Sequence, residues 1–226
     1  SDTVYHLAGI TSVPTTLKDK GNNKEIYEVG VLGTRNILNC VEEYTKIVFP
    51  STHVVFEGLK SVKKNVSENE KPKPILDYSK GKVQSEEDII ASKNNYVILR
   101  LGSVYGISYD STRINIMPNL FSKIASEGGT IQLFAKGEQF KSLVSVYDVA
   151  RCLQFVGEDD AISNEIFNCV NENLQVKNVA NICKKYSKNL KIENTNDEIP
   201  NKGYTLSNKK LKSFNFEFLY DLETSI

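Results

Sequence analysis

The sequence predicts an α/β protein with a parallel sheet that is covered by helices on both faces. Three short runs, Thr3–Gly9, Lys46–Pro50 and Tyr96–Leu101, are largely apolar, which is typical of strands buried on both faces. Segments with helical spacing of apolar residues follow the first two runs, near residues 22–45 and from about Tyr78 to Ser92. The order strand, helix, strand, helix, strand indicates a doubly wound parallel sheet.

The rest of the chain predicts a smaller second region. The polar segment from Glu57 to Leu76 contains two prolines and is expected to be a surface loop. The further expected elements are helices near 114–126, 147–156, 176–186 and 208–212, strands near 131–134, 142–146 and 165–170, and a polar tail from Ile192 to Lys202. We therefore expect residues 1–102, with a returning strand near 164–170, to form the sheet region, and residues 103–226 to form the second region.

Composition excludes several classes of function. Lys plus Arg and Asp plus Glu both number 28, so no net charge attracts nucleic acid or an anionic membrane. No apolar run approaches the ~20 residues that span a bilayer, and the first residues lack the form of a signal peptide. The four cysteines form no CxxC pair and only two histidines occur, which predicts reduced thiols, a cytoplasmic location and no metal site.

Tyr78 and Lys82 are the residues most indicative of chemistry. Positions i and i+4 share one face of a helix, so a phenol and an ammonium would point into the same space. A nearby cation favours the phenolate and lowers a pKa that starts near ~10. The strand Lys46–Pro50 ends in two hydroxyl residues, Ser51 and Thr52, which could share a proton with the substrate. Roughly one Tyr-x-x-x-Lys is expected by chance, so the order of the surrounding elements carries the argument.

A set of motifs in a fixed order resembles the extended short-chain dehydrogenase/reductases, and more narrowly the NAD-dependent sugar-nucleotide epimerase/dehydratase family. The motifs are Asp2-x-Val4-x-His6-Leu7-Ala8-Gly9, Val31-Leu32-Gly33-Thr34-x-Asn36-x-Leu38, Phe49-Pro50-Ser51-Thr52, Tyr78-x-x-x-Lys82-x-x-x-Glu86, Leu99-Arg100-Leu101-x-x-Val104-Tyr105-Gly106, Gly137-Glu138-Gln139, Val144–Ala150 and Ile166–Val170. The resemblance covers essentially the whole chain in the right order.

The resemblance implies a partial Rossmann-type sheet that binds NAD and a small carboxyl-terminal region that binds a nucleoside diphosphate sugar. Tyr78 would be the catalytic acid and base, Lys82 would lower its pKa, and Thr52 would bind the reacting sugar hydroxyl. The alternative for Tyr78 and Lys82 is an ordinary exposed helix pair, and for Thr52 a simple cap. The expected cofactor contacts are Leu7, Ala8, Gly9, Tyr78, Lys82, Leu101, Gly102 and Ser103. The expected substrate contacts are Ser51, Thr52, His53, Ser103, Arg113 and Lys141.

The largest departure from the family pattern is at the start of the chain. The family opens with a Gly-x-x-Gly-x-x-Gly turn that holds the pyrophosphate at a helix amino terminus, and the early glycines here, Gly9 and Gly21, lack that spacing. We expect a fragment or a truncated gene product with weak NAD binding, in which the choice between NAD and NADP is open. The first strand would be an exposed sheet edge, which predicts a homodimer or other self-association.

Smaller departures narrow the expected chemistry. Gly30 stands where the family usually has Asn, and Gly81 where it commonly has Ser. His53 and Val54 follow the active-site Thr, where family dehydratases carry an acid, so 4-epimerisation or 4-keto reduction is favoured over dehydration. Two alternatives stay open: a catalytically silent protein that binds a nucleotide sugar or a protein partner, and a reductase of a non-sugar alcohol.

Overall fold

A computed structural model of the protein describes residues 2–10, 23–108, 112–195, 197 and 203–225. The chain divides into two units. Unit 1 comprises Ser1–Gly58, Glu68–Arg100 and Cys152–Phe167, and unit 2 comprises Leu59–Ser67, Leu101–Arg151 and Asn168–Ile226. Each unit has its own apolar core.

The described elements alternate between strands and helices along most of the chain. In order they are β1 Thr3–Tyr5, α1 Asn23–Glu25, a π-helix Ile26–Leu32, α2 Gly33–Cys40, β2 Lys46–Thr52, a 3₁₀ turn His53–Phe56, β3 Lys63–Val66, α3 Asp77–Ala91, β4 Tyr96–Leu101, β5 Ser103–Tyr105, α4 Met117–Ser126, β6 Thr130–Leu133, a 3₁₀ turn Phe134–Gly137, β7 Phe140–Ser145, α5 Val146–Glu158, β8 Glu165–Cys169, β9 Glu172–Gln175, α6 Val176–Tyr186, β10 Lys191–Asn194, β11 Tyr204–Leu206, α7 Lys209–Ser213 and a 3₁₀ turn Glu223–Ser225.

A parallel sheet with strand order β1-β2-β4-β8 is the frame of unit 1, and it confirms the predicted α/β class. β1 pairs with β2 in parallel, with Val4 opposite Ile47. Ile47, Phe49, Ile89 and Ile98 form the buried core between the sheet and α3. The apolar runs read from the sequence therefore lie in the sheet interior, as expected for strands covered on both faces.

The described residues of unit 2 form three small sheets. β5, β7 and β9 form one sheet, in which β7 is parallel to β5 and antiparallel to β9. β6 pairs in parallel with β10, and β3 with β11. The core of unit 2 is built mainly from α4, α6, β6 and β7, with Phe121, Ile131, Leu143, Val179 and Leu190 among its buried side chains.

The expected surface loop from Glu57 to Leu76 was wrong for part of its length. It contains β3, which pairs with β11, and Val66 of β3 is fully buried. The Asn65 amide also donates to the Thr205 hydroxyl at 2.8 Å. A strand whose partner lies so far along the chain leaves no periodic apolar signal in its own four residues, because backbone pairing supplies most of its contacts.

The prediction of a helix near residues 22–45 was wrong about where the helix ends and about its geometry. It ends at Cys40, and Val41 is extended with ψ of 153°. Val41 still packs on the core of unit 1. Its apolar side chain therefore fits the helical pattern, although its backbone is extended. The segment Ile26–Leu32 is a π-helix, a geometry that apolar spacing cannot distinguish from an α-helix.

Two other boundaries also differ from expectation. The first strand ends at Tyr5 instead of Gly9, although the His6 amide still donates to the Val48 carbonyl. β10 occupies the start of the polar tail that was expected from Ile192. Part of that tail, residue 196 and residues 198–202, lies outside the described residues.

Within the described part of the chain, no helix is long and apolar enough to cross a bilayer.

Candidate active site

Helix α3 places Tyr78 and Lys82 in one pocket of unit 1. They lie one helical turn apart near the amino terminus of α3, where Tyr78 is the second residue of the helix. The same pocket is lined by Ala8, Gly9, Ile10, Ile26, Gly30, Phe49, Gly81 and Ser85. The structure therefore brings together two of the three residues expected to be catalytic and four of the eight expected to contact the cofactor, Ala8, Gly9, Tyr78 and Lys82.

Lys82 is held by groups of β2, and Gly9 lies close to its ammonium. Its Nζ donates to the Pro50 carbonyl at 2.9 Å and lies 4.4 Å from the centre of the Phe49 ring. A Cβ added to Gly9 would lie 3.8 Å from Nζ. Burial lowers the pKa of Lys82 to about 8, while the charge of Glu86 acts in the opposite direction. The side chain is therefore an ammonium below about pH 8 and a partly buried cation one helical turn from Tyr78.

His6 forms a buried hydrogen-bond network that the sequence alone did not reveal. Its Nε2 lies 2.9 Å from the Thr34 hydroxyl. Thr34 donates its single hydroxyl proton to the Gly30 carbonyl at 2.7 Å, because that carbonyl can only accept. The His6 Nε2 must then carry a proton and donate to Thr34. Its Nδ1 is buried and deprotonated, with no hydrogen-bond partner among the described residues.

Burial and the positive charge of Lys82 lower the pKa of His6 to about 4. Between pH 6.5 and 4 the unfolded chain binds a proton at this imidazole and the folded chain does not. The free energy of unfolding contributed by His6 is therefore fully present above pH 6.5 and is lost as pH falls toward 4, by about 3 kcal/mol in all.

We expect His6→Gln to flatten this pH dependence. Glutamine keeps an N–H donor for Thr34 and cannot be protonated in this range. Urea unfolding at intervals from pH 7 to pH 4 measures the slope, and the difference between wild type and variant isolates one imidazole from the carboxylates. His53→Gln is the matched control, because these are the only two histidines in the chain, and it should keep the slope of the wild type. Equal slopes for wild type and His6→Gln would contradict the assignment.

The two hydroxyl residues at the end of β2, Ser51 and Thr52, make different hydrogen bonds. Thr52 is buried, and its hydroxyl accepts the Val54 amide at 3.2 Å, which caps the 3₁₀ turn His53–Phe56. Ser51 is also buried and donates its hydroxyl to Glu86. His53 is partly exposed at the start of the turn. Ser51 therefore bonds to the interior network of Glu86, and its expected role as a substrate contact stays a prediction.

Glu86 and Arg100 form an ion pair beneath this part of the sheet. Arg100 Nη2 lies 2.8 Å from Glu86 Oε2, and both side chains are less than 5% exposed, at 4% and 3%. Arg100 also donates to the Glu68 carbonyl at 3.0 Å and lies over the Phe56 ring. Glu86 lies one turn beyond Lys82 on α3. Its negative charge acts to raise the pKa of Lys82, against the effect of burial.

Two glycines that depart from the family pattern, Gly30 and Gly81, line the pocket. Gly30 belongs to the π-helix. A Cβ at Gly30 would meet nothing within 4 Å, and one at Gly81 would make ordinary contacts with Ile26 and Val31 at 3.8 Å. The Gly30 carbonyl also accepts from the Ser85 hydroxyl at 3.3 Å. Packing therefore does not require glycine at either position, and side-chain space remains open at Gly30.

The remaining expected contacts lie outside this pocket. Leu7 is 63% exposed. Leu101, Gly102, Ser103, Arg113 and Lys141 all belong to unit 2. Gly102 is fixed by packing within unit 2, because a Cβ there would lie 2.8 Å from the Ser142 carbonyl oxygen. Arg113 is exposed, and Lys141 is an exposed residue of β7 opposite Leu174.

A match to a protein family covers most of the chain. A family description for the NAD-dependent epimerase/dehydratase family matches residues 1–169. A curated relative, N-acetyl-alpha-D-glucosaminyl-diphospho-ditrans,octacis-undecaprenol 4-epimerase of Escherichia coli O157:H7, is 29% identical over 154 residues. That match covers 65% of this chain and 44% of the relative, so the chain spans less than half of the length of that protein.

Comparison with solved structures supports the same fold at low identity. UDP-glucose 4-epimerase of Thermotoga maritima with UDP-glucose has a TM-score of 0.82 and 23% identity, covering 99% of this chain and 74% of that chain. UDP-glucuronic acid 4-epimerase of Bacillus cereus in complex with NAD has a TM-score of 0.81 and 23% identity, covering 99% of this chain and 71% of that chain.

Proposed function

This chain belongs to the NAD-dependent epimerase/dehydratase family, and on that premise we propose that it acts on a nucleoside diphosphate sugar by 4-epimerisation or 4-keto reduction. The observation that supports this most is the shared pocket of Tyr78, Lys82, Ala8 and Gly9. The named relatives include 4-epimerases of UDP-glucose and UDP-glucuronic acid. A UDP-hexose is therefore the substrate class that we propose.

In this proposal Tyr78 removes the proton of the sugar C4 hydroxyl and returns it later in the reaction. Lys82 remains an ammonium below about pH 8 and stabilises the phenolate one helical turn away. Thr52 holds the reacting hydroxyl, with its own oxygen oriented by the Val54 amide. Proton transfer, charge stabilisation and orientation of the substrate are thus divided among three side chains.

NAD, when bound, supplies a hydride acceptor and donor, and NADP is the alternative cofactor. Ala8 and Gly9 would line its reactive end, because both face the pocket of Tyr78 and Lys82 and neither carries a large side chain. Leu7, Leu101, Gly102 and Ser103 stay proposed as further contacts. We propose His53, Ser103, Arg113 and Lys141 as substrate contacts, of which Arg113 and Lys141 supply exposed positive charge suited to a diphosphate.

We also propose how the chain is divided into binding regions, that it self-associates, and where it is located. Residues 1–102, with the strand near 164–170, would be the dinucleotide-binding region, and residues 103–226 would mainly bind the substrate. Self-association, as a homodimer or through β1, is supported by the position of β1 at one end of the strand order and by Tyr5, which is 40% exposed. A cytoplasmic location is supported by four cysteines that are free thiols.

The test is turnover of purified protein with NAD and either UDP-glucose or UDP-glucuronic acid, followed by separation of the C4 epimers by chromatography. We expect the epimer to accumulate to equilibrium, and hydrogen at C4 to be retained from the substrate when the solvent is D₂O. The 4-keto nucleotide sugar with NADH tests the reductive arm. Sugar-nucleotide binding by calorimetry without turnover in either arm would instead favour a catalytically silent binding protein.

A further inference from the structure

Helix α3, which carries Tyr78 and Lys82, begins without a cap of its own. Its N-cap residue is Leu76, with φ of −76° and ψ of 151°, and it makes no side-chain cap hydrogen bond. The first amides of a helix have no partner inside the helix, and leucine has no oxygen to accept them. Because Tyr78 is the second residue of α3, any fraying at this end would displace the phenol directly.

The carboxylate of Glu57 binds the residues that lead into α3 and the Ser79 hydroxyl of its first turn. Its Oε1 accepts the Ile75 amide at 2.8 Å, the Leu76 amide at 2.7 Å and the hydroxyl of Ser79. A charged acceptor makes these hydrogen bonds strong, and a negative charge at this helix end also interacts favourably with the helix dipole. One side chain therefore anchors the residues on both sides of Tyr78.

Backbone contacts join the same two segments. The Gly58 amide donates to the Lys73 carbonyl at 2.8 Å, and the Lys73 amide donates to the Val55 carbonyl at 2.7 Å. A Cβ at Gly58 would lie 2.4 Å from the Lys73 carbonyl oxygen, so only glycine permits this approach. The turn that precedes α3 is thus attached to the 3₁₀ turn that follows Thr52.

We infer that Glu57 is a positioning residue that fixes the Thr52 hydroxyl relative to the Tyr78 phenol. Thr52 and Tyr78 lie on different elements, and the 3₁₀ turn from Thr52 ends directly at Glu57. The Glu57 carboxylate links that turn to the residues at the start of α3. This inference rests on the proposed function, because the alignment matters only if both hydroxyls contact one reacting oxygen.

Glu57→Ala tests the inference, and Glu57→Gln is the conservative variant, since it keeps an oxygen acceptor of the same reach. We expect Glu57→Ala to lower kcat for the UDP-hexose by about 10- to 100-fold while KM changes little, as expected for a misaligned catalytic group. Glu57→Gln should recover most of that loss. Glu87→Ala, at an exposed position of α3, is the matched control and should leave kcat unchanged. Wild-type kcat in Glu57→Ala would overturn the inference.

Two readouts that need no turnover separate this inference from the proposed function. Hydrogen exchange of the Ile75 and Leu76 amides should be faster in Glu57→Ala. The ¹⁹F resonance of fluorotyrosine at position 78, assigned with Tyr78→Phe, should shift or broaden. If wild-type protein is inactive but both signals change, the proposed function fails and the positioning stands. If wild-type protein is active and neither signal changes in Glu57→Ala, the positioning inference is overturned and the function stands.

Discussion

Replacing Tyr78 with phenylalanine is expected to lower turnover of the UDP-hexose by about 10²- to 10⁴-fold, the usual contribution of a positioned acid or base. The substitution removes only the phenolic oxygen and keeps the ring in the pocket with Lys82 and Gly9. Binding of NAD, measured by calorimetry, should change little. The rate is measured from epimer formation under saturating substrate, so that kcat is compared.

Tyr44→Phe is a suitable control for this experiment. Tyr44 is 69% exposed and lies outside the pocket, so its variant should keep wild-type turnover. If Tyr78→Phe retains turnover within a few-fold of wild type, the acid–base assignment is wrong. Lys82 then stands only as a partly buried cation that helps to hold β2 against α3 through Pro50.

The pH at which turnover is measured matters because of Lys82. Its pKa is lowered to about 8, so at pH 7 the ammonium is largely present beside Tyr78. Above pH 8 the charge that we propose to stabilise the phenolate is progressively lost. The comparison of wild type with Tyr78→Phe therefore belongs near pH 7, where the protonation of Lys82 is the same in both proteins.

The larger elements could be predicted because their contacts repeat along the chain. The strand Tyr96–Leu101 and the helix Val176–Tyr186 have the bounds that their apolar patterns indicate. β3 and β11 could not be predicted in this way, since each is stabilised by backbone pairing with a distant partner. The π-helix was missed because Ile26 and Val31 are buried in a pattern that an α-helix would also produce.

In the candidate site too, residues marked by their local spacing could be predicted, whereas residues that act through contacts with distant parts of the chain could not. The spacing of Tyr78 and Lys82 predicts one shared face, and both line one pocket. His6 and Glu57 carried no such signal, because each acts through hydrogen bonds to residues far along the chain. Glu86 was visible in the motif after Lys82, but its partner Arg100 was not evident until the strand and helix were packed together.

Arg100→Met is expected to lower the free energy of unfolding by about 3–5 kcal/mol, because it leaves the Glu86 carboxylate buried without its partner. The pair is bonded at 2.8 Å with both side chains at most 4% exposed, so water cannot replace the guanidinium at low cost. Urea unfolding at pH 7 measures the change. Arg100→Met/Glu86→Gln should lose less than Arg100→Met alone, because glutamine removes the stranded charge and keeps an oxygen for Ser51.

The exposed pair of Lys93 and Glu43 provides the control for this cycle. Their side chains are 79% and 76% exposed at a separation of 3.0 Å. Lys93→Met should therefore change stability by no more than about 1 kcal/mol. A loss that small in Arg100→Met, or no recovery in the double variant, would contradict the assignment of a charged buried pair. The two outcomes differ because burial makes a broken ion pair costly, whereas solvent screens an exposed one.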